Sequence, residues 1–338
     1  MAKNIKHITR WLIPIISIVV IFSILILKGE GKNVIHAIQS IKPLFLLLGV
    51  LFILAYWLFE AMILHQLLYY AKERIGFWKS FKITMAGQFF NGITPFASGG
   101  QPAQLYLLHK QKVPFGTGAS VLTKKFIVYQ AVLVVYSFVV LIFESTFFMG
   151  KIPNFFYLGA LGFIVNFIVI AALMMIGYNY RFTKGLVIRV GKFLRRHFNY
   201  HKTTKKTLKV LHQINLFHQQ MKSNHHGLGT WLIIGFLSVL QLTFFFSIPL
   251  VIGYGFHLTH LSIFYMIGAA AFVSMVTAFI PLPGAALGAE GSFYLVYQIF
   301  FPSKIVITAL LLWRLITYYL PLLIGGTFVV TGKHKETD

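Results

Sequence analysis

Asn91-Gly-Ile-Thr-Pro-Phe-Ala-Ser-Gly-Gly-Gln-Pro102 interrupts one long apolar stretch of this chain, and Pro281-Leu-Pro-Gly-Ala-Ala-Leu-Gly-Ala-Glu-Gly291 interrupts another. Proline removes a backbone donor and glycine frees the backbone from helical torsions, so a helix entering either motif stops there. The flanking residues, Phe81 to Leu108 and Leu261 to Phe301, stay apolar on both sides of the break. In a bilayer, a broken helix leaves amides and carbonyls without intrahelical partners, which is tolerable only where protein or water meets them. Both stretches therefore read as re-entrant helical hairpins beside a polar cavity.

The rest of the chain supports a membrane setting. Of 338 residues, 57% are hydrophobic and only 11% charged, and the mean hydropathy is +0.77, far from a soluble domain. Six runs are long enough to cross about 30 Å of hydrocarbon at ~1.5 Å per residue. They are Trp11 to Leu27, Leu44 to Tyr70, Phe126 to Phe143, Phe155 to Tyr178, Leu228 to Phe256 and Ile305 to Val330. The first resembles a signal sequence, but Lys28-Gly-Glu-Gly has no small-residue cleavage pattern, so it reads as a retained helix. The expected fold is all-α and integral to the membrane: about six transmembrane helices plus the two hairpins. Residues 1–338 form a single domain.

Thirty Lys and Arg against seven Asp and Glu give a formal charge of +23. The excess sits between the apolar runs, so it reads as topology rather than nucleic-acid binding. The loop 179–227 carries eleven Lys and Arg and no acid, which places it in the cytoplasm. Counting outward puts both termini and Lys72 to Lys82 inside, and the Glu30 and Glu144 loops outside. Apolar positions at helical spacing in the loop, Leu186, Val187, Val190, Phe193 and then Leu208, Leu211, Ile214, Phe217, suggest basic amphipathic helices on an anionic lipid surface.

With this topology, the order span, span, hairpin, span occurs twice in opposite senses. The repeats run over about 11–149 and 152–331, the arrangement of inverted-repeat transporters. Spacing supports the repeat. Lys125 follows Gln101 by 24 positions and Arg314 follows Glu290 by 24, each with a tyrosine four residues on, Tyr129 and Tyr318. Gly99, Gly100 and Gly288 would start helices whose free amides face an anionic group such as a phosphate.

Charges inside the membrane are the candidate site. Glu290 is either a headgroup ligand or proton carrier, or a structural cap of its helix. Arg314 lies about ten residues into the last span, too deep for easy snorkelling, and its fork suits a phosphate; the alternative is a structural pair with Glu290. Lys124 and Lys125 stand at the edge of the third predicted span. Lys124 reads as an interfacial anchor, and Lys125 as either an anchor or the counterpart of Arg314. Glu60 has only His65 nearby in sequence and is a candidate counter-charge for Arg314 or Lys125, in a binding or a purely structural role. Lipid-binding candidates are therefore Arg314, Glu290, Lys125, Glu60, Gln101, Gly99, Gly100, Gly288, Tyr129 and Tyr318.

Other chemistries have no footing in the residues. The chain has no cysteine, which excludes disulfides, thiolate metal sites and cysteine nucleophiles. Its thirteen histidines show no metal spacing, and no phosphate-binding loop, dinucleotide fingerprint or nucleophile elbow occurs. Cofactors, metals and catalytic residues are expected to be absent.

The two broken motifs, taken with Lys125-Phe-Ile-Val-Tyr129 and Arg314-Leu-Ile-Thr-Tyr318, resemble the transmembrane flippase-like domain of bacterial lysylphosphatidylglycerol synthases over nearly the whole chain. Full members of that family carry a cytoplasmic domain that transfers lysine from lysyl-tRNA to phosphatidylglycerol. Nothing after the last span, up to Asp338, resembles it. The resemblance implies a bacterial cytoplasmic membrane protein that moves a polar lipid, phosphatidylglycerol- or lysylphosphatidylglycerol-like, between leaflets, and so contributes to resistance against cationic peptides. It also implies that the hairpin motifs line the lipid site. The second motif is bulkier here, Gly284-Ala-Ala-Leu-Gly288, than the family's usual Gly-Gly after the proline, which bears on the headgroup.

Two alternatives belong to other classes: an enzyme acting on a lipid headgroup with Glu290 as general base, and a non-transporting partner of a cell-envelope enzyme that docks through the basic loop. Expected partners are a membrane phospholipid and an anionic lipid surface, not nucleic acid; self-assembly into a homo-oligomer is left open.

Overall fold

The computed structural model describes residues 39, 41–151, 155–198, 204–223, 227–277, 280, 282, 285 and 288–331. The predicted first span, both termini and most of the second break lie outside them. The regular structure of the described residues is helical, joined by short turns and a 3-10 turn at Pro95–Ala97. Helix α1 is Pro43–Tyr70, α2 Phe77–Ile93, α3 Gly100–Lys110, α4 Phe115–Phe143, α5 Ser145–Met149 and α6 Phe155–Tyr178. Helices α7, Tyr180–Phe198, and α8, Thr204–Lys222, form the basic loop. Then follow α9, Leu228–Phe246, α10, Ile248–Gly255, α11, Ile263–Thr277, α12, Gly288–Tyr297, α13, Ser303–Arg314, a π-helical turn Leu315–Tyr319, and α14, Leu320–Thr331.

Five helical stretches are long and apolar enough to cross a membrane: Pro43–Tyr70, Phe115–Val139, Gly159–Tyr178, Leu228–Gly255 and Ser303–Val329. They bear out five of the predicted spans, with one correction. The third begins at Phe115, eleven residues before the predicted Phe126. The reason is local: Pro114 ends the preceding turn, and Phe115-Gly-Thr-Gly-Ala-Ser-Val-Leu-Thr123 is small and apolar enough to continue the helix. Lys124 and Lys125 thus sit within the helix, not at its edge.

Each broken stretch folds as two helices packed on one another, α2 on α3 and α11 on α12. At ~1.5 Å per residue α3 is about 17 Å long and α12 about 15 Å, too short to cross the hydrocarbon core, as the hairpin reading requires. Close approach in the first depends on Gly87, where a Cβ would overlap the side chain of Gln104. The first break places Phe96 and Ala97 at φ 54° and 50°, and the second places Ala285 at φ 50°. Such left-handed backbone costs energy in residues with a Cβ, and the surrounding structure must hold it.

The two halves pack reciprocally. Helix α1 lies along α9; hairpin helix α2 packs on α14, the end of the second half; hairpin helix α11 packs on α4, the last span of the first half. This exchange is the packing that an inverted repeat would give. Small residues allow it, since a Cβ on Gly325 would meet the Met85 carbonyl at the contact of α14 with α2.

The basic loop departs from expectation. Helix α8 does not offer its apolar side to lipid: Ile214, Phe217 and Met221 are buried, and the helix packs on α4 and α6. The Gly116 amide donates to Gln213 Oε1 at 2.7 Å, and Lys124 Nζ donates to the Gln220 carbonyl at 2.6 Å, near the C-terminal end of α8. Lys124 is therefore no interfacial anchor. Of the two loop helices it is α7 that, among the described residues, leaves large apolar side chains exposed, among them Phe182, Leu186, Val190 and Phe193.

Candidate functional site

Two adjoining cavities lie between the hairpins and the spans. The larger, of about 700 Å³, is lined by α1, the first hairpin, α4 and α9. The smaller, of about 200 Å³, is lined by the ends of both hairpins and by Arg314 with its π-helical turn. Gln88, Asn91, Ala97, Phe245 and Thr317 border both.

In the larger cavity Glu60 and Lys125 meet. Lys125 Nζ donates to Glu60 Oε1 at 2.7 Å and to Gln104 Oε1 at 3.1 Å, while Gln88 Nε2 donates to Glu60 Oε2 at 2.5 Å. The earlier start of α4 makes this possible by carrying Lys125 ten residues into the span. His65 is not the partner of Glu60; its Nδ1 pairs with the Ile75 carbonyl at 3.0 Å. Tyr129 lines the cavity beside Tyr56, which is hydrogen-bonded to Gln88 and Gln241. The buried Trp57 Nε1 has no hydrogen-bond partner among the described residues, and its ring borders the cavity. An indole donor left unmet in a buried site is costly unless a ligand or water completes it.

Arg314 lines the smaller cavity, and its Nε lies 2.8 Å from Glu290 Oε1. An aromatic stack sets this distance. Phe293, one turn after Glu290, stacks on Trp313, the residue before Arg314, with centroids 4.8 Å apart. The guanidinium also lies over the rings of Trp313 and Tyr318, at 5.2 Å and 5.3 Å from their centroids. Tyr318 reaches across to the first hairpin, its hydroxyl donating to the Gly92 carbonyl at 3.2 Å. The π-turn after Arg314 widens the helix there, a feature that recurs at functional sites.

The structure thus divides the predicted charges into two carboxylate–cation pairs in neighbouring cavities. Gln101 lines the larger cavity, but Gln104 makes the contact with Lys125. The glycines of the first break need correction. The Gly99 amide donates to Thr94 Oγ1 at 2.8 Å and the Gly100 amide to Asn91 Oδ1 at 2.9 Å. The preceding helix caps these donors, so they do not wait for an anion. Gly288 opens α12, and a Cβ there would overlap Ile280. Reasoning from sequence missed Gln88, Gln104, Gln241, Tyr56 and Trp57. The three glutamines carried a readable signal, being amides inside apolar runs.

The family model "Lysylphosphatidylglycerol synthase TM region" matches residues 11–325. A "UPF0104 membrane protein" of the archaeon Archaeoglobus fulgidus is 26% identical over 335 residues, covering 94% of this chain and 95% of its own. The match runs through both hairpins and both ion pairs, so the chain belongs to the family of lysylphosphatidylglycerol synthase transmembrane regions.

Proposed function

We propose that the protein moves a polar phospholipid between membrane leaflets, with its headgroup passing through the two cavities while the acyl chains stay in the bilayer. The observation that carries this reading is the pair of carboxylate–cation contacts in adjoining, partly polar cavities between reciprocally packed halves. A buried ion pair contributes little net stability against apolar packing, so two of them in a membrane protein point to a ligand that exchanges with them.

Lys125 and Arg314 would take the phosphate, Arg314 with a fork suited to two of its oxygens. Glu60 and Glu290 would take an ammonium or hydroxyl part of the headgroup, and Trp57 Nε1 would supply a further donor. The larger cavity, at about 700 Å³, is within the range of small-ligand sites. Alternating exposure would come from movement of one half against the other. The family's name favours phosphatidylglycerol or lysylphosphatidylglycerol as the lipid, the acid-free basic loop favours a cell membrane with both termini cytoplasmic, and cationic-peptide resistance would follow from transport. The exposed apolar side chains of α7, with Arg181, Lys184 and Arg189 on the same helix, would rest on the anionic leaflet.

The test is headgroup accessibility in proteoliposomes containing labelled phosphatidylglycerol, lysylphosphatidylglycerol or a polyprenyl phosphate. Protein-dependent movement of one lipid is expected, with loss in Arg314→Ala and Glu290→Gln. Absence of movement of all three by folded, inserted protein would contradict the reading.

A further inference from the structure

Four of the seven acids lie among the described residues: Glu60 and Glu290 in the ion pairs, Glu73 in the half-exposed turn after α1, and Glu144. Glu144 differs from the others. It stands between α4 and α5, is only 2% exposed, and its Oε2 has no hydrogen-bond partner among the described residues. Its carboxyl group lies against Gly268 of α11, so closely that a Cβ at position 268 would overlap both oxygens.

The contact closes a seam between the halves. Just after Glu144, Phe147 stacks on Tyr265 of α11 with centroids 4.0 Å apart, and also on Phe300 at 5.9 Å, in the turn after α12. The fully buried Phe148 packs edge-on against Tyr265 and Phe300. The corner of α4 and α5 thus grips α11 and the turn that follows α12, the two ends of the hairpin that carries Glu290. A carboxylate without a partner in such a place is expensive to ionise, whereas its protonated form packs at little cost.

We propose that Glu144 is a proton-binding site that latches the second hairpin: protonated, it seals the corner of α4 and α5 onto α11, and ionised, it releases that contact. Burial raises the Glu144 carboxyl from its ordinary 4.5 to about 7. The sign follows from linkage. The closed contact binds the proton more tightly than the open one, so closure is fully favoured at acid pH and weakens as pH rises between those values. The other titratable groups that the adjacent elements bring to this end are Lys151, Tyr157, His260, Tyr265 and Tyr297. The ammonium of Lys151 sits over the Phe147 ring at 3.6 Å, and Tyr297 donates to the Met266 carbonyl at 3.2 Å. The ligand of this site is a proton, and its link to transport rests on the reading of alternating exposure, but its test reads the hairpin directly.

The experiment is amide deuterium exchange of α11 in the full chain in nanodiscs, from about pH 5 to about pH 9, corrected for intrinsic exchange. In the native protein, opening should rise about tenfold per pH unit up to about pH 7 and then level off. Glu144→Gln should hold the acid level of protection at every pH, and Gly268→Ala, which pushes the carboxyl away, should exchange at the alkaline level even in acid. A native pH profile that is flat, or one that Glu144→Gln leaves unchanged, would overturn the proposal. Infrared difference spectra supply a second readout that stands even if Gly268→Ala fails to fold. The carboxylic-acid carbonyl band lost between the two pH extremes should be missing in Glu144→Gln, and its persistence there would equally overturn the proposal.

Discussion

At the scale of single residues, the account rests on where each carboxylate finds its cation. Glu60 and Lys125 are 65 positions apart in sequence, and nothing in their local surroundings marks them as partners. The sequence named both as candidates because charges inside apolar runs are rare, but it left Glu60 open between two cations. The pairing became legible only with the length of α4. Removing one partner of a buried pair leaves a charge uncompensated, at a typical cost of about 3–5 kcal/mol. Lys125→Met should therefore lower stability in detergent by an amount near the low end of that range, given some exposure of the pair, while Lys125→Met combined with Glu60→Gln should recover most of it. Equal melting temperatures for the single and double replacements would contradict the pairing. Asn91→Ala should cost about 1 kcal/mol, because the Gly100 amide loses its cap; denaturant or thermal titration checks this.

At the scale of elements, the hairpins were the most readable feature, since proline and glycine inside an apolar run admit few other structures. The start of α4 was not readable. Phe115 to Thr123 has glycines and hydroxyls that look like loop, and two lysines follow, yet each lysine has an internal acceptor that offsets its burial. Helix α8 misled for a related reason: amphipathic periodicity says that one face is apolar but not whether lipid or protein covers it. Its cover is α4 and α6, fastened by Lys124 at the end of α8. Gly116→Leu tests this packing. A side chain there would meet the Gln213 carbonyl, so α8 should lose amide-exchange protection while α1 and α9 keep theirs. Unchanged protection of α8 would contradict the packing.

At the scale of the molecule, the reciprocal packing of hairpins and last spans leaves two adjoining cavities, one holding the Glu60–Lys125 pair and the other lined by the arginine of the Glu290–Arg314 pair. Spacing in the sequence suggested the repeat, through the equal 24-residue intervals Gln101 to Lys125 and Glu290 to Arg314. The identities of the cavity-lining amides and aromatics were not legible, because their meaning depends on which faces of four helices converge. The net charge of the two pairs together is zero, so a headgroup entering the site under the proposed function would have both signs to engage. The proposed contact of α7 with the anionic leaflet adds a separate expectation: replacing Arg181, Lys184 and Arg189 with glutamine should weaken the response of the protein to anionic lipid content without disturbing insertion. The most direct measurement of the central claim is the transbilayer rate of labelled phosphatidylglycerol or lysylphosphatidylglycerol in proteoliposomes of the native protein, Lys125→Met and Arg314→Ala, each shown to be folded and inserted. The account predicts that both replacements reduce the rate to that of protein-free vesicles. Native rates in both would contradict it.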